Sequence, residues 1–418
     1  MRPFLSTSRL PCAIAICCLA LTTAPLVAGQ PRCLTAASAV ASALKGNKEV
    51  AAARFLVREA ETKARGAGIL SNPELETEVA GGQSFEGRVI AGINQKFPLT
   101  ARLRLERQVS ELEVQMAKLE VREKEWQLGV AVRKAFYEVA AAREAIAISN
   151  RQADFAEAFT KSVAEGVDTG FRSKLELQEA MLAASNLRAQ AESLRGLEME
   201  SSARLNEWLG LPADTQLILD KNLALPKSAP VPKPLKMRAD LELAEMAVRT
   251  GNTQLLLSKA TRWEDVGVGL FVEGERFRDN PMGIEPEALA GVRLTIPLPL
   301  WQNGAAQVAE KEAVRNRVSA KLDSLRFAAQ NQVLTAYRTM SLRFQSALRF
   351  SQNVLPTANE HMRDCEAANA RGEVDLQTVF RARDRLAEVE LSDLEARKSY
   401  FLAHCDWLGA LGESNTNR

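Results

Sequence analysis

Ala91-Gly92-Ile93-Asn94-Gln95-Lys96-Phe97-Pro98-Leu99 and Ala290-Gly291-Val292-Arg293-Leu294-Thr295-Ile296-Pro297-Leu298 are one pattern met twice, 199 positions apart counted from Pro98 to Pro297. Each alternates apolar with polar or small residues and ends on a proline, as a strand with two different faces does. The repetition extends in both directions. Upstream, Glu74-Leu75 after Asn72-Pro73 matches Asp265-Val266 after Trp263-Glu264, at an offset of 191, so the second copy carries about eight more residues between its strands. Downstream, Ala135-Phe136 returns as Ala336-Tyr337, Gly170 and Ala180 as Gly372 and Ala382, and Trp208-Leu209-Gly210 as Trp407-Leu408-Gly409. Five matches in constant order are a tandem duplication. Between the copies, Pro212, Pro226, Pro230, Pro232 and Pro234 exclude a helix. The chain divides into a signal peptide at 1–29, a first repeat at 30–210, a Pro-rich linker at 211–238, a second repeat at 239–411 and a tail at 412–418.

Each repeat holds two alternating segments. Glu74, Glu76 and Glu78 oppose Leu75, Thr77 and Val79. Asn94 and Lys96 oppose Val89, Ala91, Ile93 and Phe97. Gly267, Gly269, Phe271 and Glu273 oppose Val266, Val268, Leu270 and Val272, and Gly291, Arg293 and Thr295 oppose Val292, Leu294 and Ile296. Lengths near nine residues suit barrel strands that cross a bilayer, with one face for lipid and one for water. They equally suit a half-buried soluble sheet. Four strands cannot close a barrel, and an open edge cannot lie in hydrocarbon, so the membrane reading requires several chains to share one barrel.

The rest is helical. A first helix is expected from Thr35 to about Ile69 and from Ala239 to about Lys259. Very long helices follow from Ala101 to about Glu165 and from about Ala305 to Ala370, the latter kinked at Pro356. About 65 residues at 1.5 Å each reach roughly 100 Å. Shorter helices return over Ser173–Leu209 and Leu376–Leu408, and the first helix of each copy can stack on the returning one to match the long partner. Gly170 and Gly372 mark the turns, with Ser173 and Asp375 placed to start the next helix.

Composition narrows the function. Fifty-four Lys and Arg against 52 Asp and Glu leave a net charge of +2, without the basic excess of a nucleic-acid binder. Arg2 and Arg9, the short apolar run Pro11–Leu21 and the small residues near Ala28 form a secretory signal. No later stretch is apolar enough for a membrane helix. Cys33, Cys365 and Cys405 remain after the signal, an odd and widely spaced set that is no disulfide framework, and Arg32 is wrong for lipidation of Cys33. The two histidines, His361 and His404, lie far from any ligand-spaced partner, and no phosphate loop or nucleophile elbow occurs, so neither enzyme, metal site nor cofactor is expected.

These features together resemble the TolC-type outer-membrane efflux proteins across essentially the whole mature chain. The carriers are the paired repeats, Asn72-Pro73-Glu74-Leu75 leading into the first strand, and the glycine and alanine ten positions apart at Gly170/Ala180 and Gly372/Ala382. Ile296-Pro297-Leu298-Pro299-Leu300-Trp301-Gln302-Asn303-Gly304 resembles the motif of the cobalt–zinc–cadmium subgroup, with Trp301 where that pattern has phenylalanine. The resemblance implies a mainly helical, TolC-like homotrimer with a 12-stranded transmembrane β-barrel and a periplasmic α-barrel. It implies an outer-membrane location, with outer-membrane lipid, a periplasmic adaptor and an inner-membrane pump as partners, no nucleic acid, and cargo such as heavy-metal cations or small toxic compounds. It also makes Gly170, Phe171, Arg172, Gly372, Glu373 and Val374 adaptor-contact or gate residues at the tips. Thr378 and Arg381 fall where the best-known members carry acidic entrance residues. Glu74, Glu76, Glu78, Lys96, Glu273 and Arg293 become candidates for the barrel lumen. The competing readings are a periplasmic adaptor, which would have one hairpin rather than two, and a coiled-coil scaffold, which has no use for the four strands.

Overall fold

A computed structural model describes residues 33–81, 87–220, 223–235, 238–279, 283–301 and 303–412; the signal sequence and all but the first residue of the C-terminal tail lie outside the described residues. The first repeat is α1 (Ala36–Gly46), α2 (Lys48–Arg65), β1 (Glu74–Gly81), β2 (Gly87–Phe97), α3 (Arg102–Asp168) and α4 (Lys174–Leu209). The second is α5 (Ala239–Ala260), β3 (Val266–Asp279), β4 (Gly283–Thr295), α6 (Ala305–Arg349), α7 (Leu355–Ala370) and α8 (Leu376–Leu411). At 67 residues α3 runs about 100 Å without a break.

One expectation about the helices needs correcting. The span Thr35–Ile69 is not one helix. The Asn47 side chain accepts from the amides of Glu49 and Val50 at 2.9 and 3.1 Å, which starts a new helix there. Its amide also donates to the carbonyl of Trp208 at 3.1 Å. A Cβ on Gly46 would stand 2.6 Å from the Leu209 carbonyl oxygen, so the glycine is what lets α4 arrive there. The break is therefore the joint at which the returning helix meets α2 and continues its column. In the second repeat Arg238 takes this place: it pairs with Asp240 at 2.6 Å, donates to the Ala410 carbonyl at 3.3 Å and packs against Gly412. The second long helix is interrupted just before Pro356. One π-helical turn, Phe350–Val354, links α6 to α7 and places the proline in the first turn of α7, where its missing N–H is tolerated.

The helices pack in two rows. Next to the sheet, α2, α3, α5 and α6 are successive neighbours; farther away the succession is α4, α3, α8 and α7. The long helices belong to both rows. The core sits at the waist, where Leu205, Val132 and Val139 in one repeat and Trp407, Met340 and Leu411 in the other are almost fully buried. The Pro-rich segment straps this waist. Leu217, Leu219 and Leu223 are buried, Leu34 bridges to Leu219 in parallel, and Arg143 donates to the Leu217 carbonyl at 2.7 Å.

Four strands form one antiparallel sheet in the order β1-β2-β3-β4, so hydrogen bonds between β2 and β3 join the repeats. With 8 and 11 residues in β1 and β2 but 14 and 13 in β3 and β4, the second hairpin exceeds the expected nine. The extra residues of the second copy lengthen this hairpin. Among the described residues no helix is long and apolar enough to cross a membrane.

Candidate functional site

The register sorts the sheet into two faces. Leu75, Ile93, Leu270 and Val292 are successive cross-strand partners, and Thr77, Ala91, Val272 and Ala290 form the next such row. Leu75, Ile93, Leu270 and Val292 are each more than half exposed, although apolar. A contiguous apolar face of this extent is not left in water.

The opposite face is charged. Glu74, Glu76, Glu78, Lys96, Glu273 and Arg293 all fall on it by strand parity. Lys96 pairs with Glu74 at 2.7 Å, and Arg293 pairs with Glu76 across the sheet. Sequence reading missed Arg88 on this face, and it placed Asn94 and Phe271 there without their partners. Arg88 pairs with Glu273 at 2.5 Å, Asn94 donates to Glu76 at 3.0 Å, and the Arg293 guanidinium lies 5.3 Å over the Phe271 ring. The ring in turn occupies the space left by Gly291, whose Cβ would come within 2.6 Å of it. Only the register brings these residues together, and the alternation of each strand alone does not contain it. Among the described residues the outer edges of β1 and β4 have no strand partner. Buried backbone edges must be paired, above all in hydrocarbon.

At the far end both hairpin turns have one geometry. Gly170 and Gly372 take left-handed φ values of 78° and 76°. The amides of Phe171 and Glu373 reach back to the carbonyls of Gly166 and Ala368, each at 2.9 Å. These are Schellman closures, for which glycine is the fitting residue. Ser173 then caps α4 through the Glu176 amide at 3.1 Å, and Asp375 caps α8 through the Thr378 amide at 2.9 Å. Phe171 is 89% exposed at the first turn. Arg172 lies beside Glu176 at 3.6 Å, and Arg371, which sequence reading passed over, pairs with Glu373 at 2.7 Å. That bond holds the Glu373 carboxyl below its ordinary range. The Thr378 hydroxyl and amide do the same for Asp375, with Arg172 and Arg381 adding to the effect, so the first tip lies within electrostatic reach of the second. Val374 sits between these two carboxylates in the second turn.

Between tips and waist the hairpins are tied through α3 and α8. Arg151 pairs with Glu390 at 3.0 Å, Gln152 bonds Asp384, and Phe380 stacks on Phe159 at 4.7 Å. Closer to the waist Arg397 bridges Glu144 and the buried Asp393. No group of three or more His, Cys, Asp or Glu among the described residues is arranged to hold a metal. One statement about the histidines is corrected: His361 does have a neighbour at ligand spacing, Cys365, one helical turn on.

An exposed two-faced sheet, open at both edges and continuous with a helical layer about 100 Å long, defines a membrane β-barrel subunit with a helical extension. Residues 39–211 match the family described as outer membrane efflux protein. No curated protein matches in sequence. Among solved structures, CusC aligns with 91% of this chain and 92% of its own at a TM-score of 0.69 and 16% identity. VceC of Vibrio cholerae aligns with 90% and 96% at 0.70 and 14% identity. The outer-membrane channel OprN aligns with 90% and 89% at 0.71 and 13% identity. At these identities the agreement is one of fold, and it extends over both repeats.

Proposed function

We propose that three copies of this chain form the exit duct of a tripartite efflux system. The observation that carries this is the sheet: one exposed apolar face, one ion-paired face and two open edges. Closing three such sheets edge to edge puts the apolar face toward lipid and the Glu74–Lys96, Glu76–Arg293 and Arg88–Glu273 pairs toward water, and leaves no free edge. The helical rows have edges of the same kind. Leu182 and Met199 on α4 and Phe327 and Leu342 on α6 are mostly exposed, so the α4 side of one copy suits the α6–α7 side of the next. Repeat boundaries at 30–210 and 239–411 follow this division of labour.

Transport through such a duct is passive. The tips close it, and Gly170, Phe171, Arg172, Gly372, Glu373 and Val374 present the surface an adaptor protein meets, with Thr378 and Arg381 just inside. An inner-membrane pump supplies the energy, and adaptor binding opens the duct by favouring the splayed arrangement of the hairpins. Heavy-metal cations or small toxic compounds are the cargo the family resemblance favours. The test is planar-bilayer conductance of the detergent-extracted protein, with the oligomer fixed by crosslinking. Discrete conductance steps from a trimer are expected. A monomer that stays soluble without detergent and gives no conductance would leave a periplasmic adaptor or scaffold as the reading.

A further inference from the structure

We propose that His361, Met362 and Cys365, one turn of α7, form a binding site for a soft monovalent d10 cation of the copper(I) and silver(I) class. The inference does not depend on the channel reading, because it concerns donor atoms within a single helix.

The Cys365 sulfur lies 3.8 Å from Nε2 and 4.0 Å from Nδ1 of His361. Residues four apart share a helix face, so the two donors are held by the backbone and not by chance contact of distant segments. A metal bonded to sulfur at about 2.3 Å and to imidazole nitrogen at about 2.0–2.1 Å separates the two donors by about 3.5 Å at a tetrahedral angle and about 4.3 Å in a straight line. The observed gap lies between these limits. A two-coordinate or bent three-coordinate ion fits this separation once the exposed imidazole turns to aim one nitrogen lone pair at the ion.

Donor chemistry selects the ion. Thiolate and thioether ligands favour copper(I) among the common metals, whereas zinc takes four ligands or three and a water, and among the described residues no group of three or more His, Cys, Asp or Glu is placed to hold it. Met362 and Cys365 pack in one cluster against Val379 and Ala382 of α8. The site thus has an apolar floor, Met362 is within the same cluster as the thiol, and the exposed His361 ring forms the open side through which an ion enters. Binding exchanges the thiol proton, released to water, for the metal at sulfur. The remaining thiols are unlike this one. Cys33 is exposed with no histidine beside it. Cys405 is buried and its thiol is pushed up to about 12 by that burial, and the adjacent His404 is one residue away, a spacing that does not share a helix face.

The test uses the exported, signal-cleaved chain in detergent with Cys33→Ser, which leaves Cys365 and the buried Cys405 as its thiols. Silver(I) nitrate is titrated in chloride-free buffer, with bound silver measured by elemental analysis and the sulfur-to-metal absorption band followed in the ultraviolet. We expect about one silver ion per chain, its loss in Cys365→Ser, and at least tenfold weaker binding in His361→Ala. Circular dichroism of each variant checks that the helices are intact. Failure of the Cys33→Ser chain to bind silver, retention of binding in Cys365→Ser, or affinity unchanged by His361→Ala would each overturn the proposal, the last by showing a bare thiol with an adventitious ion only.

Discussion

The sharpest test of the sheet's two faces sets Val272→Arg against Glu78→Arg. Val272 lies in the middle row of the apolar face and is 60% exposed in the single chain. Glu78, only one row away by register, lies on the charged face. Neither substitution empties a packed core, so steric damage is small in both. Near the middle of a bilayer a lipid-facing arginine costs a barrel about 2–4 kcal/mol, whereas a lumen-facing one costs little. At 1.4 kcal/mol per tenfold, Val272→Arg lowers the folded-to-unfolded ratio at a fixed urea concentration by roughly 30- to 700-fold per chain. Three chains share a barrel in the proposed trimer, so the effect on the assembled species is larger still. Folding into phosphatidylcholine vesicles, followed by the survival of heat-stable trimers in detergent across a urea series, reads this directly. Glu78→Arg is expected within about 0.5 kcal/mol of the parent, as surface substitutions usually are. If Val272→Arg folds as well as Glu78→Arg, or the order is reversed, the assignment of lipid and lumen faces is wrong.

Four further outcomes follow from the joints and tips. Asn47→Ala removes two capping bonds and strands the Trp208 carbonyl, which costs about 2 kcal/mol in urea unfolding followed by circular dichroism. Gly170→Ala forces a side chain into the left-handed region at a cost of about 1–2 kcal/mol, seen as faster amide exchange confined to the tip. Because Glu373 and Asp375 have depressed folded-state values, their contribution to tip order is complete above the ordinary carboxylate range. It fades as pH falls through that range, so the Thr378 amide, capped by Asp375, should lose exchange protection near and below pH 4 and show no such loss between pH 6 and 8. Replacing Arg151 and Gln152 together by alanine cuts the ties to Glu390 and Asp384 and should raise the open-channel current in a planar bilayer, while a double variant at the exposed Arg204 and Glu200 pair should not.

The duplication and the two-faced strands are legible in the sequence because period two and a fixed order of elements survive even where residues diverge. The turns are legible for a similar reason: Gly170 and Gly372 each face a backbone requirement that few residues meet. Legibility fails where the outcome depends on contact between distant segments. Gly46-Asn47 is a local stop-and-cap pair, but glycine and asparagine also occur inside helices, and the break falls here because Leu209 and Gly210 arrive beside it. Pro356 marks a disturbance in the second long helix, but whether that becomes a kink or a π-helical turn depends on how α6 and α7 pack along α8. Arg88 is a plausible surface residue until the register places it opposite Glu275 and within reach of Glu273.

The joints at Asn47 and Arg238 have a mechanical consequence. In each repeat one column, α3 or α6–α7, passes the waist as continuous backbone, while its neighbour is two pieces butted end to end and held by a few side-chain to carbonyl bonds. A continuous rod transmits torque along its length; a butted pair slips. Twisting α4 and α8 at the tips therefore dissipates at the waist, and the continuous rods, anchored in the sheet, act as the fixed posts around which the lower row turns. In the proposed duct such a clutch would let the far end change diameter while the strands at the other end keep their hydrogen-bond register.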